Sequence, residues 1–370
     1  MLSQKEISRY QRHIQLSEIG VIGQEKIKHS SVLIIGAGGL GCPILEYLTA
    51  VGVGTIGIVD FDTIDESNLQ RQTLYSTNDI GKYKVDIAVQ KLSRQNPFTK
   101  YITYCNELTN KNALDILSKY EIIIDGTDNL SSRYIINDAC TLLNKPLIYG
   151  AIHKFEGQVT VFNYSTQSQP EKYNYYDLFP ENPELSQVPN CSENGVIGVL
   201  PGIIGILQAT EAIKIILGIG NILAGELLVM NVINLEFYIF KITKNQNKKE
   251  ITEKEFKNFD YKYFCGESTK NVVKEISCDE LKNELKNNRE NIQLIDIREK
   301  NEQPIIEELI ETKIPLVEII ERINEIKTTK KIILICKSGV RSKLAIQMLQ
   351  KKINSENLFS LKGGINEWLK

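Results

Sequence analysis

Residues 32–71 read VLIIGAGGLGCPILEYLTAVGVGTIGIVDFDTIDESNLQR. An apolar strand, Val32-Ile35, enters a glycine turn, then a helix, then a second strand that ends on Asp60. Gly36, Gly38 and Gly41 fit the spacing G-x-G-x-x-G, which permits a tight turn and lets peptide N–H groups approach a phosphate at a helix N-terminus. Asp60 follows Gly41 by nineteen residues, where a carboxylate can accept ribose hydroxyls. Taken alone, the segment predicts a NAD-dependent oxidoreductase. The residues after Asp60 argue for different chemistry.

Strands and helices alternate outward from this segment. Val32-Ile35, Thr55-Val59, Tyr101-Tyr104, Ile122-Ile124 and Pro146-Tyr149 read as strands, with helices at Lys84-Gln95, Asn112-Lys119 and Ser131-Leu143. The pattern predicts an α/β fold, a Rossmann-like doubly wound and mostly parallel sheet. Residues 4–29 read as helical cover for it. After Gly157, GQVTVFNY and two runs within Leu227-Ile242 alternate with period two, which predicts an antiparallel extension. Between them, residues 166–194 form a long polar loop of the kind that carries function. A helix over about Ile203 to Leu217, apolar on most sides, should be buried.

Residues 244–258, KNQNKKEITEKEFKN, are charged and read as part of a linker. A second, small α/β domain follows: Gln293-Asp296, Lys331-Ile335 feeding CKSGVRS, a helix at Lys343-Lys352, then Asn357-Leu361 and Gly363-Gly364. The expected division is domain 1–243, linker 244–270 and domain 271–370.

The chain has 370 residues, 42% hydrophobic and 24% charged, with a formal net charge of −2, which gives no global reason to expect nucleic acid. The N-terminus has no signal-like apolar core, and the charges Glu211 and Lys214 within the longest apolar region argue against a bilayer helix, so a cytoplasmic protein is expected. Seven cysteines (Cys42, Cys105, Cys140, Cys191, Cys265, Cys278 and Cys336) form no C-x-x-C pair. Neither a disulfide framework nor a tetrathiolate zinc site is suggested.

Asn68, Arg71, Lys84 and Asp128 follow the glycine turn, the last in IIIDGTDN at the end of a strand. Two cations and a carboxylate around a phosphate tail suit ATP with magnesium, whereas hydride transfer needs an apolar nicotinamide slot. Arg71 and Lys84 can stabilise the charge that grows as pyrophosphate leaves, and Asp128 can hold the metal. Each residue alone has a plain structural reading, as a solvated cation or a turn carboxylate. The set carries the argument, and it also argues against a non-catalytic carrier-binding scaffold.

GAGGLG, VDFDTIDESNLQRQ, the lysine of IGKYK, DGTDN, GQVTVF and VPNCSENGVIGVLPGIIGILQATEAIK together resemble the MoeB/ThiF family, bacterial relatives of ubiquitin-activating enzymes. The resemblance spans about residues 2–240. It implies adenylation of the C-terminal Gly-Gly carboxylate of a small ubiquitin-like sulfur carrier, with ATP and magnesium. It further implies that Gly36, Gly38, Gly39 and Gly41 cradle the nucleotide and that Asp60 holds the ribose. Asn68, Arg71, Lys84 and Arg12 would contact the phosphates, and Asp128 the magnesium. Arg71 comes from the partner subunit in this family, which implies a homodimer. Relatives commonly hold a structural zinc on two C-x-x-C pairs. Here the corresponding regions read KYNYYDLFP and YKYFCGE, so only Cys265 remains and no zinc is expected. Packing among Tyr173, Tyr175 and Tyr176 should hold those segments instead.

Two thiols stand out. Cys191, in VPNCSENGV, sits in or just after the long loop, and the resemblance implies acyl or sulfur transfer there. Cys336 closes the strand KKIILI and opens CKSGVRS before a helix, so loop N–H groups and the helix dipole should favour an anionic sulfur, with Lys337 and Arg341 adding charge. The shorter spacing to Arg341 than in phosphatase loops favours a persulfide over a phosphate. LIDIREKNE and LKGGINEW make residues 272–370 resemble the rhodanese family, although the usual histidine-containing segment is replaced by ETKIPLVEI. The expected sequence is adenylation, then attack on the acyl carbon by a Cys336 persulfide, with Cys191 forming a prior thioester or resolving an acyl disulfide. The sulfur donor is expected to be a cysteine desulfurase or thiosulfate, and the pathway molybdopterin or thiamine synthesis. No nucleic acid or membrane partner is expected.

Overall fold

The structure, a computed structural model, describes residues 1–167, 169–179, 195–245, 251–265, 273–299, 302–304, 306, 309, 312–350, 352–353 and 357–369. The chain divides into two compact units, Met1–Cys265 and Gly266–Lys370.

The first unit is built on one sheet of β1 (Ser31–Ile35), β2 (Thr55–Val59), β3 (Lys100–Tyr104), β4 (Ile122–Asp125), β5 (Leu147–His153), β6 (Glu156–Phe162), β7 (Glu226–Asn231) and β8 (Glu236–Lys241). Their order is β3-β2-β1-β4-β5-β6-β7-β8. The first five run parallel and the last three pair antiparallel, as the change from continuous apolar runs to alternation predicts. Ile34 and Ile124 pack on one face with helices Gly41–Val51 and Lys84–Gln95, while Leu33, Ile123 and Tyr134 pack on the other. Order reverses beside β1, so the C-terminal ends of β1 and β4 open a crevice at the sheet's edge.

Helix Val199–Leu217 starts four residues before the expected Ile203. Pro201 does not stop it, because a first-turn N–H needs no intrahelical acceptor. Length and composition alone would let this helix cross a membrane. It lies instead on β5 and β6, where Gln208 Nε2 donates to the Asp125 carbonyl at 2.7 Å. Burial is one-sided, not general, for Val199 stays 60% exposed.

The expected linker, 244–270, is in part folded. Helices Glu253–Asn258 and Tyr261–Phe264 belong to the first unit, with Phe256, Tyr261 and Cys265 buried in its second apolar cluster. Asn110 Nδ2 anchors them by donating to the carbonyls of Phe256, Lys257 and Phe259.

The second unit has β9 (Lys274–Ile276), β10 (Ile292–Asp296), β11 (Thr312–Lys313), β12 (Lys331–Ile335) and β13 (Leu358–Leu361), all parallel, in the order β11-β10-β12-β13-β9. Helix Val340–Gln350 begins three residues before the expected Lys343, which puts Arg341 in its first turn.

Candidate functional site

Gly36 leaves β1 at φ +93°, and a β-carbon there would lie 2.7 Å from the Gly126 carbonyl oxygen. A β-carbon on Gly41 would lie 2.0 Å from the Gly36 oxygen. Only glycine lets the turn close on itself and on the strand beside it. Gly38 differs. A β-carbon there would meet Gln72 Nε2 alone, at 3.5 Å, so the fold does not exclude a side chain at Gly38 and leaves room above it. Gly39 faces Pro201 and the Arg71 stem.

Asp60, at the end of β2, accepts the Ala37 N–H on Oδ2 at 2.7 Å and the Asp62 N–H on Oδ1 at 2.9 Å. Burial pushes its carboxyl up, opposed by the nearby Lys84 ammonium. Lys84 is itself 5% exposed and pairs with Asp62 at 2.8 Å. Sequence reasoning passed over Asp62; its nearness to Lys84 comes from the turn between β2 and the helix, 22 residues in sequence from cation to partner. Tyr75 also escaped notice, and its hydroxyl donates to the Ala37 carbonyl at 2.9 Å.

Asp128 is exposed, three residues past β4. Its loop is set by the buried Asp125, which accepts from Thr127 N at 2.9 Å and Thr127 Oγ1 at 2.6 Å. Burial raises the Asp125 carboxyl, opposed first by Arg133. Gly126 N donates to the Ile35 carbonyl at 2.8 Å, so the loop bearing Asp128 abuts the glycine turn. Asn68 and Arg71 are half-buried, and Arg71 Nη1 donates to the Ser67 carbonyl at 3.0 Å. Glycine turn, Asp60, Lys84 and the Asp128 loop thus share one sheet edge. Arg12, exposed on helix Gln11–Ile14, makes no hydrogen bond or ion pair with the turn.

The donor set fits a nucleotide: peptide N–H groups, two cations and the Asp60 carboxylate. It fits magnesium too, which takes one or two carboxylates and completes its shell from phosphates and water. It does not fit a four-ligand zinc site, since among the described residues no group of three or more His, Cys, Asp or Glu could hold a metal.

Around Cys265, aromatic rings fill the space. Tyr134 stacks edge-on with Tyr175 at 5.0 Å and with Phe264 at 5.1 Å, and lies 5.2 Å from Tyr176. The Tyr176 and Tyr261 hydroxyls both donate to Asp138 Oδ2, at 3.2 and 2.6 Å. Tyr173 packs at the rim beneath the Lys244 ammonium. Cys42 and Cys140 are buried in the core, whereas Cys105 is exposed.

In the second unit, Cys336 has no exposed surface. Its Sγ accepts from Gly339 N at 3.1 Å and Ser342 N at 3.4 Å. Beneath the loop, Ile365 N donates to the Cys336 carbonyl at 2.9 Å, an approach that Gly364 permits because a β-carbon there would lie 2.3 Å from that oxygen. Arg341 does not stand free to add charge, as its position suggested. It pairs bidentately with Glu302, at 2.5 and 2.8 Å, and holds that carboxyl down at about 2. The Asp296 and Arg298 side chains form a buried pair at 2.9 Å, with Arg298 also donating to the Pro304 carbonyl, so these residues fix the segment bearing Glu302. Lys337 is exposed. Cys191 lies outside the described residues.

Comparison with known proteins agrees with both units. The ThiF family model matches residues 10–251 and the Rhodanese-like domain model residues 277–370. A Mycobacterium tuberculosis protein named probable adenylyltransferase/sulfurtransferase MoeZ is 39% identical over 378 residues, covering 100% of this chain and 94% of its own length. The sulfur carrier protein adenylyltransferase of Thermus thermophilus is 44% identical over 270 residues, 71% of this chain and 98% of its own. Among solved structures, E. coli MccB with ATP shares the fold at TM-score 0.54 and 18% identity, covering 68% of this chain and 82% of that one.

Proposed function

Because the chain belongs to the ThiF family and ends in a rhodanese-like domain, and is on that footing an adenylyltransferase joined to a sulfurtransferase domain, we propose that it makes the thiocarboxylate of a small ubiquitin-like sulfur carrier ending in Gly-Gly. The observation that carries this reading is the open space over Gly38, in a turn that Asp60 holds through the Ala37 N–H and that the loop leading to Asp128 abuts.

The carrier carboxylate attacks the α-phosphorus of ATP and pyrophosphate leaves. Asp60 holds the ribose, and the turn from Gly36 to Gly41 seats the phosphates. Asn68, Arg71, Lys84 and Arg12 bind and orient them, with Arg71 reaching across a homodimer. Asp128 would hold magnesium, which supplies charge neutralisation to the departing oxygens. No zinc takes part. Cys336, once it carries a sulfane sulfur from a desulfurase or thiosulfate, attacks the acyl carbon through its outer sulfur, and AMP leaves. The two amides on Sγ orient the thiol loop for this. Release needs a second thiol to attack Cys336 Sγ and break its bond to the outer sulfur, so that the thiocarboxylate leaves and a disulfide remains for a cellular dithiol to reduce. The resemblance implies Cys191 for this role or for a prior thioester. These steps take place in the cytoplasm and serve molybdopterin or thiamine synthesis.

Incubation with ATP, magnesium, thiosulfate and a purified Gly-Gly-ended carrier tests the reading by mass spectrometry. The carrier is expected to gain the mass of one sulfur replacing one oxygen. A carrier unchanged in mass, from each of several candidates, would refute it.

A further inference from the structure

Gln72 has no part in the chemistry above, yet it stands at its centre. It follows Arg71 on the turn after Glu66–Asn68, where its N–H donates to the Asn68 carbonyl at 3.0 Å. Only 4% of its surface is exposed, and its Oε1 has no hydrogen-bond partner. Its Nε2 is the one atom that a β-carbon on Gly38 would meet. The carboxamide is therefore aimed at the part of the turn that the fold leaves open. Tyr75, three residues further along the same segment, also serves the turn, through the Ala37 carbonyl.

A buried amide with unmet hydrogen bonding destabilises a fold, and a leucine or methionine would fill the same space without that cost. Retention of such a group beside a ligand cradle fits a role in the bound state. The amide is neutral, so it can orient a phosphate without duplicating the charge supplied by Arg71 and Lys84.

We propose that Gln72 is a binding residue for the nucleotide's α-phosphate, with Nε2 donating to a non-bridging oxygen of the phosphate seated over Gly38. The proposal rests on the ATP-dependent reading of this site. The α-phosphate is common to ATP, the acyl-adenylate and AMP, so the contact holds the reacting phosphorus throughout.

Calorimetric titration of the full chain with AMP and with adenosine isolates that phosphate. Gln72→Met is expected to weaken AMP binding about tenfold and leave adenosine binding unchanged, because the substitution removes one hydrogen bond to a charged acceptor. Gln72→Glu should weaken AMP further, by like-charge repulsion, again without effect on adenosine. Melting temperature should hold or rise in Gln72→Met, since an unmet polar group is gone. Unchanged AMP affinity in both variants, or an equal loss for AMP and adenosine, would overturn the proposal. A wild-type chain that binds neither AMP nor ATP would overturn the adenylation reading itself, an outcome separable from failure of the Gln72 contact.

Discussion

The Asp60 carboxylate accepts the Ala37 N–H at 2.7 Å, which fastens the acid at the end of β2 to the glycine turn that follows β1. One oxygen is committed to the turn, and the group's remaining acceptor capacity is what a ribose would use. Asp60→Ala removes both functions. ATP affinity, measured by calorimetry, should fall about tenfold or more, the scale of a lost charge-assisted hydrogen bond. Wild-type affinity in this variant would remove Asp60 from the nucleotide site.

Two glycines of the same turn should respond oppositely. Gly38→Ala meets only Gln72 Nε2, so the fold should melt within a few degrees of wild type while nucleotide binding is lost. Gly41→Ala drives a β-carbon into the Gly36 carbonyl and should cost about 2 kcal/mol or more of stability. Paired melting and ATP-titration curves check both. A Gly38→Ala protein that binds ATP normally would show that the open space is not a phosphate seat.

Glu302 is held at about 2, chiefly by its hydrogen bond from Arg341, against an ordinary value of 4.5. A carboxyl depressed by folding contributes stability that is complete above its unfolded value and fades as pH falls from 4.5 towards 2. Glu302→Gln should flatten the pH dependence of unfolding in that window. Partial exposure of the pair to solvent keeps the effect modest. Identical acid profiles for variant and wild type in thermal melts of the full chain would show that the pair contributes nothing.

The aromatic cluster makes a prediction about metal. Tyr175 is 2% exposed and touches Tyr134, Tyr149, Phe162 and Phe179, so Tyr175→Ala should destabilise the first unit by about 3–5 kcal/mol. A chelator should leave the wild-type melting temperature where it was. Stoichiometric zinc in purified protein, or a chelator-induced drop, would contradict structural replacement of metal by packing.

Much of this was legible in the sequence because it rests on local signals. Apolar runs gave β1, β2, β4, β10 and β12 with small shifts at their ends, and glycine spacing gave the turn. Contacts across long separations were not legible. Asp138 joins Tyr176 and Tyr261 across 38 and 123 residues, so the charged run after Lys244 read as linker although its second half packs into the core. β9 and β11, of three and two residues, are too short and polar to show any period. Glu302 was missed as the partner of Arg341 for the same reason, since their meeting depends on the buried Asp296 and Arg298 between strand and loop. The glycine segment alone pointed to a dehydrogenase; the cations and Asp128 redirected it.

The central claim is a division of labour, adenylation in the first unit and sulfur transfer in the second. It is tested most directly by assaying Asp128→Ala and Cys336→Ala side by side for carrier-dependent ATP–pyrophosphate exchange and for sulfur transfer from thiosulfate to cyanide. The account predicts that Asp128→Ala loses exchange and keeps sulfur transfer, and that Cys336→Ala does the reverse. Loss of both activities in either well-folded variant would contradict it.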